Sequence, residues 1–337
     1  MEPVREFLRA VVHALEDGTP VELVSVITSS GSTPRGAGAM MAVFPDGAIQ
    51  GTIGGGNVEY AAQKLAGELL AAGGDARREF RFIPGDAADL GMVCGGDVTL
   101  QFHFFSPQDQ QGIAVLRDLI QASAGNETTW LIWRLEGERI AAIATADRHG
   151  IRHLAGGPPD LSALLKQKAV FQDSWFAVPV VLAGRTYIFG GGHVSRALVP
   201  VLASVGFRPV VYDDRPEFAD STLFPQAEAV LCGPFTDIGA HVTVTEEDDV
   251  GVMTRGHQAD YEVLTQVLRS GARYLGCIGS SRKLALCRDR LLHSGFTEEE
   301  YARLHAPIGL DIGAETPEEI AVSVAAEMIA VRAGKMN

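Results

Sequence analysis

A glycine-rich bend in the second half of the sequence carries the clearest chemical signal. Gly190, Gly192 and Ser195 are spaced as Gly-x-Gly-x-x-Ser between a short apolar strand and a helix, and Asp213 ends the following strand. Glycine lets the backbone turn tightly near a phosphate, and free N–H groups at a helix N-terminus attract an anion. An acidic residue about twenty positions later can accept hydrogen bonds from a ribose hydroxyl. The spacing predicts a phosphate or nucleotide site at these residues, lined by His193; a domain that needs the glycines only for packing is the alternative.

A second glycine cluster has the same order of strand, turn and helix. Gly54 and Gly55 precede a helix that contains Glu59 near its start, and Arg35 lies upstream in the turn-rich segment GSTPRG. Arg35 places a cation in a loop where backbone donors are expected to be free. These four residues are predicted to form a further anion pocket, and two ordinary tight turns are the alternative.

Cys94 is the candidate functional thiol, because it is followed by Gly95 and Gly96 in the segment LGMVCGGDV. Backbone without side chains leaves a cysteine accessible, and accessibility is a condition of reactivity. A buried, unreactive thiol is the alternative. Cys277 and Cys287 follow the pattern of core residues.

His257 is a second candidate for the crevice. It precedes a predicted helix at the carboxyl end of a strand, which is the edge at which ligands gather in open α/β sheets. His149 and His153 are four residues apart, but Gly150 between them argues against a helical metal pair. No metal site is therefore predicted.

These candidate residues need a scaffold that places strand ends beside helix starts. In the second half, short apolar strands alternate with helices, beginning with a strand at 186–189, a helix at 193–205 and a strand at 208–212. A strand–helix–strand unit of this length is typical of a crossover in a parallel sheet. The alternation predicts a doubly wound α/β domain over residues 184–337.

Residues 1–183 are predicted to form a mixed α/β (α+β) domain. An amphipathic helix begins the chain, and apolar strands follow, two of them flanking the hairpin signal Pro45-Asp46-Gly47. Residues 146–172 offer only a breaker cluster and one short helix. The domain boundary near Gly184 is therefore placed where the alternation of short strands and helices begins.

Composition and charge exclude several classes of protein. The chain has 337 residues and a formal net charge of −14, with the same acidic excess in both halves. Without a basic face the protein is not expected to bind nucleic acid, so any anion must be held locally by backbone N–H groups or a few cations. The N-terminus lacks the pattern of a signal peptide, and no apolar run is long enough for a membrane span. Because the four cysteines are too scattered for a disulfide framework, a reduced, cytoplasmic protein is predicted.

Several ordered blocks of the sequence resemble the xanthine dehydrogenase accessory (XdhC/CoxI) family. They are GSTPRGAGAMMAV, GTIGGGNVE, LGMVCGGDV, IFGGGHVSRAL with VVYDDRPEF, TRGHQADYEVL, YLGCIGSSRK and LHAPIGLDIGAETPEEIAVSVAAE. The blocks follow the order of the family over most of the chain, and residues 126–184 are covered least.

The resemblance implies a two-domain molybdenum cofactor chaperone whose second domain is Rossmann-like. Such a chaperone binds the finished cofactor, as molybdopterin or its dinucleotide form, and protects it while a cysteine desulfurase helps to install the sulfido ligand. It then aids insertion into a molybdenum hydroxylase of the xanthine dehydrogenase type. In this interpretation Cys94 contacts the sulfur or the molybdenum, and the protein is expected to be a homo-oligomer.

The main alternative is an NAD(P)-dependent oxidoreductase. The unit of strand, glycine bend, helix and Asp213 favours it, and His257 is then the candidate proton donor. An interaction scaffold without a small-molecule site is a third hypothesis. Taken together with the residues, the resemblance favours the chaperone, which is a carrier rather than a turnover enzyme.

Overall fold

The structure, a computed structural model, describes residues 2–31, 33–82, 96–154 and 160–336. The chain divides into two compact units, Glu2–Leu182 and the remainder from Ala183 onward. The breaker cluster at 156–159 and the segment 83–95, which contains Cys94, lie outside the described residues.

The first unit combines antiparallel sheets with helices. Its described helices are α1 Glu2–Glu16, α2 Gly56–Ala72, α3 Gln110–Ala122 and α4 Leu161–Leu164. Its described strands are β1 Val21–Gly31, β2 Met40–Val43, β3 Ile49–Gly51, β4 Ala76–Phe82, β5 Gly96–Phe105, β6 Thr129–Glu136, β7 Arg139–Asp147, β8 Gly150–Arg152, β9 Val170–Gln172 and β10 Trp175–Val181. The strands form two sheets, with the orders β3-β2-β1-β5-β4 and β8-β7-β6-β10-β9. The predicted α+β class of this unit is confirmed.

The helices of the first unit are placed by their apolar faces. Phe7, Leu8 and Leu15 recur at helical spacing on α1 and are buried, where they pack with α3 and with side chains of both sheets. The opposite face of the first sheet is covered by α2, which buries Ala62 and Ala66. Small residues on this helix let it lie close to the strands.

The second unit is a parallel sheet with helices on both faces. Its described strands are β11 Thr186–Phe189, β12 Pro209–Asp213, β13 Ala229–Cys232, β14 Asp249–Val252 and β15 Tyr274–Cys277. Its described helices are α5 His193–Ser204, α6 His257–Val267, α7 Ser281–His293, α8 Glu298–Ala302 and α9 Pro317–Arg332, with 3₁₀ turns at Ser221–Leu223 and Phe235–Ala240. The strand order β13-β12-β11-β14-β15, parallel at every pairing, is that of a doubly wound Rossmann sheet. The predicted fold class is confirmed.

Burial in the second unit follows from the composition of its strands. Every residue of β11, β12, β14 and β15 is buried, as expected of parallel strands covered on both faces. One face packs against α6 and α7, and the other against α5 and α9. Cys277 and Cys287 lie in the first of these cores, as predicted. No described helix has the length and apolar character needed to cross a membrane.

Three strands of the first unit, β8, β9 and β10, are not predicted from the sequence. Of these, β8 and β9 have only three residues each, and β10 contains Pro179, which lacks a backbone donor. The sheet accommodates Pro179 because the pairing of β10 with β6 shifts register between Pro179 and Val181. A pattern rule that excludes proline from strand interiors overlooks such an irregularity.

Glu22 is an acidic side chain buried within β1. It lies opposite Val43 on one neighbouring strand and Phe104 on the other, and it has no exposed surface. Among the described residues, neither of its carboxyl oxygens has a hydrogen-bond partner. Burial, together with the nearby carboxylate of Asp75, raises the pKa of Glu22 from 4.5 to about 9. The side chain is therefore protonated in the folded protein at neutral pH.

This buried acid predicts a pH-dependent stability. Between about pH 4.5 and pH 9 the unfolded chain releases a proton that the folded chain retains, so stability falls as the pH rises. Glu22→Gln removes this ionisation, so its effect on the free energy of unfolding should be about 4 kcal/mol more favourable at pH 8 than at pH 5. Urea unfolding at the two pH values measures the difference. Glu68→Gln, at an exposed position of α2, is the matched control; an equal effect of Glu22→Gln at both pH values would contradict the assignment.

Candidate functional site

The candidate site lies at the carboxyl edge of the parallel sheet, where the winding direction of the chain reverses. In the sheet, β11 lies between β12 and β14. The chain leaves β11 towards α5 on one face of the sheet and leaves β14 towards α6 on the other face. In open α/β sheets such a switch point leaves a crevice that binds ligands. The residues Gly190–Gly192 follow β11 at this point, and Met253–Gly256 follow β14.

Gly190 brings these two loops into close approach. Its φ is +113°, and a Cβ atom at this position would lie 2.2 Å from the carbonyl oxygen of Met253. A side chain at this position would therefore force the loops apart. The N–H of Gly190 donates to the carbonyl oxygen of Tyr212 at 2.7 Å, which joins the bend to the end of β12.

Asp213 fixes the middle of the same bend. Its carboxylate accepts the N–H of Gly191 at 2.8 Å and the guanidinium of Arg215 at 2.9 and 3.0 Å, and its side chain is fully buried. Burial by itself raises the pKa of Asp213, but the hydrogen bonds from Arg215 and Gly191 outweigh it and hold that pKa below its ordinary value. The carboxylate positions the bend from inside. The ribose contact predicted for Asp213 would require it to leave these partners.

The outer end of the bend is open. Gly192 is the N-cap of α5 and provides no side-chain cap, and a Cβ atom placed there meets nothing within 4 Å. Ser195 replaces a third glycine and turns inward, donating to the carbonyl oxygen of Gly190 at 2.5 Å. The first N–H groups of a helix have no partner within the helix, so an uncapped start is able to bind an anion. His193 is exposed at this start.

On the other side of the crevice, His257 begins α6 and is exposed. Gly256 leaves α6 without a side-chain cap. Behind this start, the buried Asp260 accepts the N–H and the hydroxyl of Thr254 at 3.1 and 2.5 Å and is ion-paired with Lys283. These contacts hold the loop after β14 in place, and they engage the ammonium group of Lys283 within the protein.

The glycine cluster of the first unit is filled by one of its own side chains. The carboxylate of Glu59 accepts the hydroxyl of Thr52 at 2.5 Å and the N–H groups of Ile53 and Gly55 at 3.0 and 3.1 Å. Burial opposes these hydrogen bonds, but together they lower the pKa of Glu59. Glu59 thus occupies the position that a bound anion would take.

Arg35 lies beside this second bend, as expected from its place upstream. A Cβ atom on Gly54 would lie 2.7 Å from the Cβ of Pro34 and 3.5 Å from the Cγ of Arg35. The two segments therefore pack as a pair of tight turns. The backbone N–H groups of Ile53, Gly54 and Gly55 already have partners within the protein. The predicted anion pocket at Gly54, Gly55, Arg35 and Glu59 is therefore left with the exposed side chain of Arg35 as its remaining donor.

Asp214 and Arg255 were not singled out from the sequence. The guanidinium of Arg255, in the loop after β14, donates to the Asp214 carboxylate at 3.0 and 2.8 Å, and Asp214 directly follows β12. The one sequence signal for this ion pair is the presence of two adjacent acidic residues, Asp213 and Asp214, at the end of β12. The structure turns the first of the pair inward and exposes part of the second.

The remaining candidates concern metal binding and thiols. Within residues 2–31, 33–82, 96–154 and 160–336, no group of three His, Cys, Asp or Glu side chains is arranged to hold a metal ion. Cys232 is exposed at the end of β13. Cys94 lies outside the described part of the chain, so its predicted contact stays a prediction.

Comparison with known proteins identifies the class to which each unit of the chain belongs. The second unit is a Rossmann domain, and residues 186–328 match the XdhC Rossmann domain. Residues 14–81 match the XdhC and CoxI family. A crystal structure described as a xanthine dehydrogenase from Bacillus halodurans shares the fold, with a TM-score of 0.80 and 24% identity over 99% of this chain and 97% of that one.

The chain belongs to the XdhC/CoxI family. It is 29% identical to the uncharacterized protein YqeB of Escherichia coli over 94% of its own length, but it spans only 44% of YqeB. It is 27% identical to the molybdenum cofactor insertion chaperone PaoD of Escherichia coli, over 97% of this chain and 88% of PaoD. It is also 27% identical to a probable xanthine dehydrogenase subunit of Bacillus subtilis, over 94% of this chain and 95% of that protein.

The geometry of the bend predicts that replacing glycine by alanine destabilises the protein much more at Gly190 than at Gly192. Gly190→Ala should destabilise the second unit by about 3 kcal/mol or more, because the new methyl group meets the Met253 carbonyl at a positive φ. Gly192→Ala, at φ −74° and in open space, should cost about 1 kcal/mol or less. Urea unfolding measures both variants. Equal losses would mean that the two loops do not approach each other as described.

Proposed function

We propose that this chain is a molybdenum cofactor chaperone, which binds the finished cofactor, protects it during sulfuration and aids its insertion into a molybdenum hydroxylase of the xanthine dehydrogenase type. One observation supports the binding step most directly. The start of α5 is uncapped at the switch point of the sheet, and Gly192 there faces open space. A pterin cofactor carries a phosphate, and backbone N–H groups at a helix start bind phosphate.

The charge of the protein makes such local donors important. With a net charge of −14, the protein as a whole repels an anion, so affinity has to come from short-range contacts. At the site edge Arg215, Arg255 and Lys283 are each ion-paired with a carboxylate. Because these three cations are engaged, the proposal relies on the backbone N–H groups and the positive end of the α5 dipole for attraction.

The relatives support the identity of the cargo. PaoD, named as a molybdenum cofactor insertion chaperone, aligns with this chain over most of both lengths. The Bacillus subtilis relative, named as part of a probable xanthine dehydrogenase, aligns just as fully, which supports a target of the xanthine dehydrogenase type. YqeB is uncharacterized, and this chain covers less than half of it, so it gives no information about function.

The residues around the bend support retention of a ligand rather than its conversion. Asp213 and Asp260, the buried carboxylates of this edge, are already hydrogen-bonded. His193 and His257 are exposed side chains at two helix starts. Backbone donors hold a phosphate without forming a covalent bond, and a carrier needs such reversible binding. An NAD(P)-dependent oxidoreductase is the alternative that the same fold permits.

The partners in this proposal are the target apoenzyme and a cysteine desulfurase, with a homo-oligomer as the working form. Sulfuration requires the molybdenum end of the cargo to reach the sulfur donor while the phosphate end stays bound. Cys94 is proposed as the contact at that reactive end.

Gly192→Asp tests the anion site without weakening the fold. An aspartate at this N-cap should hydrogen-bond the first turn of α5 and stabilise the protein by about 0.3 kcal/mol. The same carboxylate occupies the donors and repels phosphate, so the affinity for released molybdenum cofactor should fall at least about tenfold. Cofactor fluorescence and thermal unfolding measure the two effects on the same sample.

Gly239→Asp is the matched control for charge. Gly239 is exposed in the 3₁₀ turn Phe235–Ala240, and a Cβ atom there meets nothing within 4 Å. This variant should bind cofactor as the parent does. If Gly192→Asp retains full affinity, the cofactor is not held by the start of α5.

Cys94→Ala tests the proposed contact at the reactive end of the cofactor. The variant should fold normally but retain less molybdenum and activate less target enzyme, because one contact to sulfur or molybdenum is removed. Metal analysis of purified protein and activation of a xanthine dehydrogenase apoenzyme measure this. Cys232→Ala, at an exposed cysteine away from this segment of the sequence, is the control. Unchanged molybdenum content and activation in Cys94→Ala would remove the role.

A further inference from the structure

Helix α9 is apolar on its outer face as well as on its buried face. On the buried face, Ala321, Val324 and Met328 pack in the core that α9 shares with α5. Val322 and Ile329 lie on the outer face, two turns apart, and are 53% and 38% exposed. The outer face of a surface helix is ordinarily polar. The outer face of α9 therefore has the composition of a contact surface.

The middle of this outer face carries no charge. Residues 320–331 contain a single charged side chain, Glu327, which is buried and hydrogen-bonded within the second unit. The outer face is thus uncharged between Glu319 and Arg332. Ala326 and Ala330 lie on this face and are half-buried, and such small side chains let a neighbouring helix approach closely.

Apolar groups continue from the outer face onto the segments at both ends of α9. Near its end, Arg332 donates to the carbonyl oxygen of Val205 at 3.2 Å, and Val205 is exposed. Near its start, Ser323 donates to the carbonyl oxygen of Leu310 at 2.6 Å, and Ile312, two residues later, is exposed. Single exposed apolar residues are normal, whereas an extended apolar patch marks a surface that another molecule covers.

The two ends of α9 carry opposite charges. Glu318 in the first turn and Lys335 just after the helix are both exposed, and neither forms an ion pair within the part of the chain that the structure describes. The midpoint between them falls beside Ala326. If a second copy is placed antiparallel across a two-fold axis at this point, Glu318 of each copy meets Lys335 of the other. A parallel arrangement would instead place like charges together.

We infer that two copies of this chain associate through the outer faces of their α9 helices, antiparallel across a two-fold axis near Ala326. The association buries the apolar middle of both faces, and two ion pairs between Glu318 and Lys335 flank it. A second copy is favoured over a different partner because this surface is complementary to itself in charge. The inference rests on the homo-oligomer of the proposed function and deepens it by assigning the surface of contact.

Charge exchange tests the antiparallel pairing. Sedimentation equilibrium of the whole chain measures the dissociation constant of the dimer. Glu318→Lys and Lys335→Glu should each weaken self-association about fivefold or more, because both ion pairs become repulsive. An equimolar mixture of the two variants should associate as the parent does, since opposite charges then meet between unlike copies.

Val322→Glu tests the apolar middle of the surface. The dissociation constant of the dimer should rise at least about tenfold, because association would remove an unpaired carboxylate from water. Leu286→Glu is the matched control, since Leu286 is 60% exposed on α7, and it should self-associate as the parent does. Thermal unfolding of both variants confirms that a lost dimer is not a lost fold.

Two results overturn the inference. One is a parent that sediments as a monomer even at about 100 μM, which excludes a dissociation constant in the micromolar range. The other is a dimer that neither Val322→Glu nor the charge exchanges weaken. A monomeric parent whose binding to the xanthine dehydrogenase apoenzyme is lost in Val322→Glu would assign this face to the target enzyme instead.

Titration with released molybdenum cofactor distinguishes failure of this interface from failure of the proposed function. If the parent is monomeric and binds the cofactor, the α9 interface is wrong and the chaperone stands. If Val322→Glu abolishes the dimer and the parent binds the cofactor, both stand. If Val322→Glu abolishes the dimer but the parent binds no cofactor, the interface stands and the chaperone is wrong.

Discussion

The close approach of two loops at Gly190 is the constraint on which the candidate site depends. With no side chain at this position, the loop after β11 packs against the Met253 carbonyl at the start of the loop after β14. Asp213 then holds the N–H of Gly191 and the guanidinium of Arg215 from inside. These contacts use the inner donors of the bend and leave the start of α5 facing outward. The proposed anion site is thus a consequence of how the sheet edge is packed.

Two bends with similar sequence have different chemistry because of one side chain in the following turn. At the start of α2, Glu59 is long enough to reach back and accept the N–H groups of the bend. At the start of α5, Ser195 is short and donates its hydroxyl to a carbonyl instead. The first bend is therefore satisfied internally, whereas the second keeps its outer donors. In an acidic protein this difference favours the second bend for the proposed anion site.

Sequence patterns predicted most elements of the second unit, because its strands and helices differ in length and are separated by glycine turns. The strand predicted at 186–189 and the helix predicted at 193–205 match β11 and α5, and the bend at Gly190–Gly192 lies where its spacing placed it. The sheet order and the antiparallel strand around Pro179 were not predicted, since they depend on pairings between distant segments.

The orientation of side chains within the site was harder to predict than its position. The sequence predicts Asp213 as a site residue because it lies at a strand end. Which of the two adjacent acids faces inward depends on contacts with Arg215 and Gly191 that form only in the folded protein. The ion pair of Asp214 with Arg255 joins residues 41 positions apart. Spacing locates an edge of the sheet, whereas packing decides which groups it exposes.

In the proposed function, backbone N–H groups at the start of α5 hold the phosphate of the cofactor. Amide NMR of the whole chain during titration with released molybdenum cofactor measures this contact. Saturable shifts are expected at Gly192, His193 and Val194, and inorganic phosphate should reproduce them at higher concentration. Cofactor that binds, as judged by its fluorescence, without moving these three signals would contradict it.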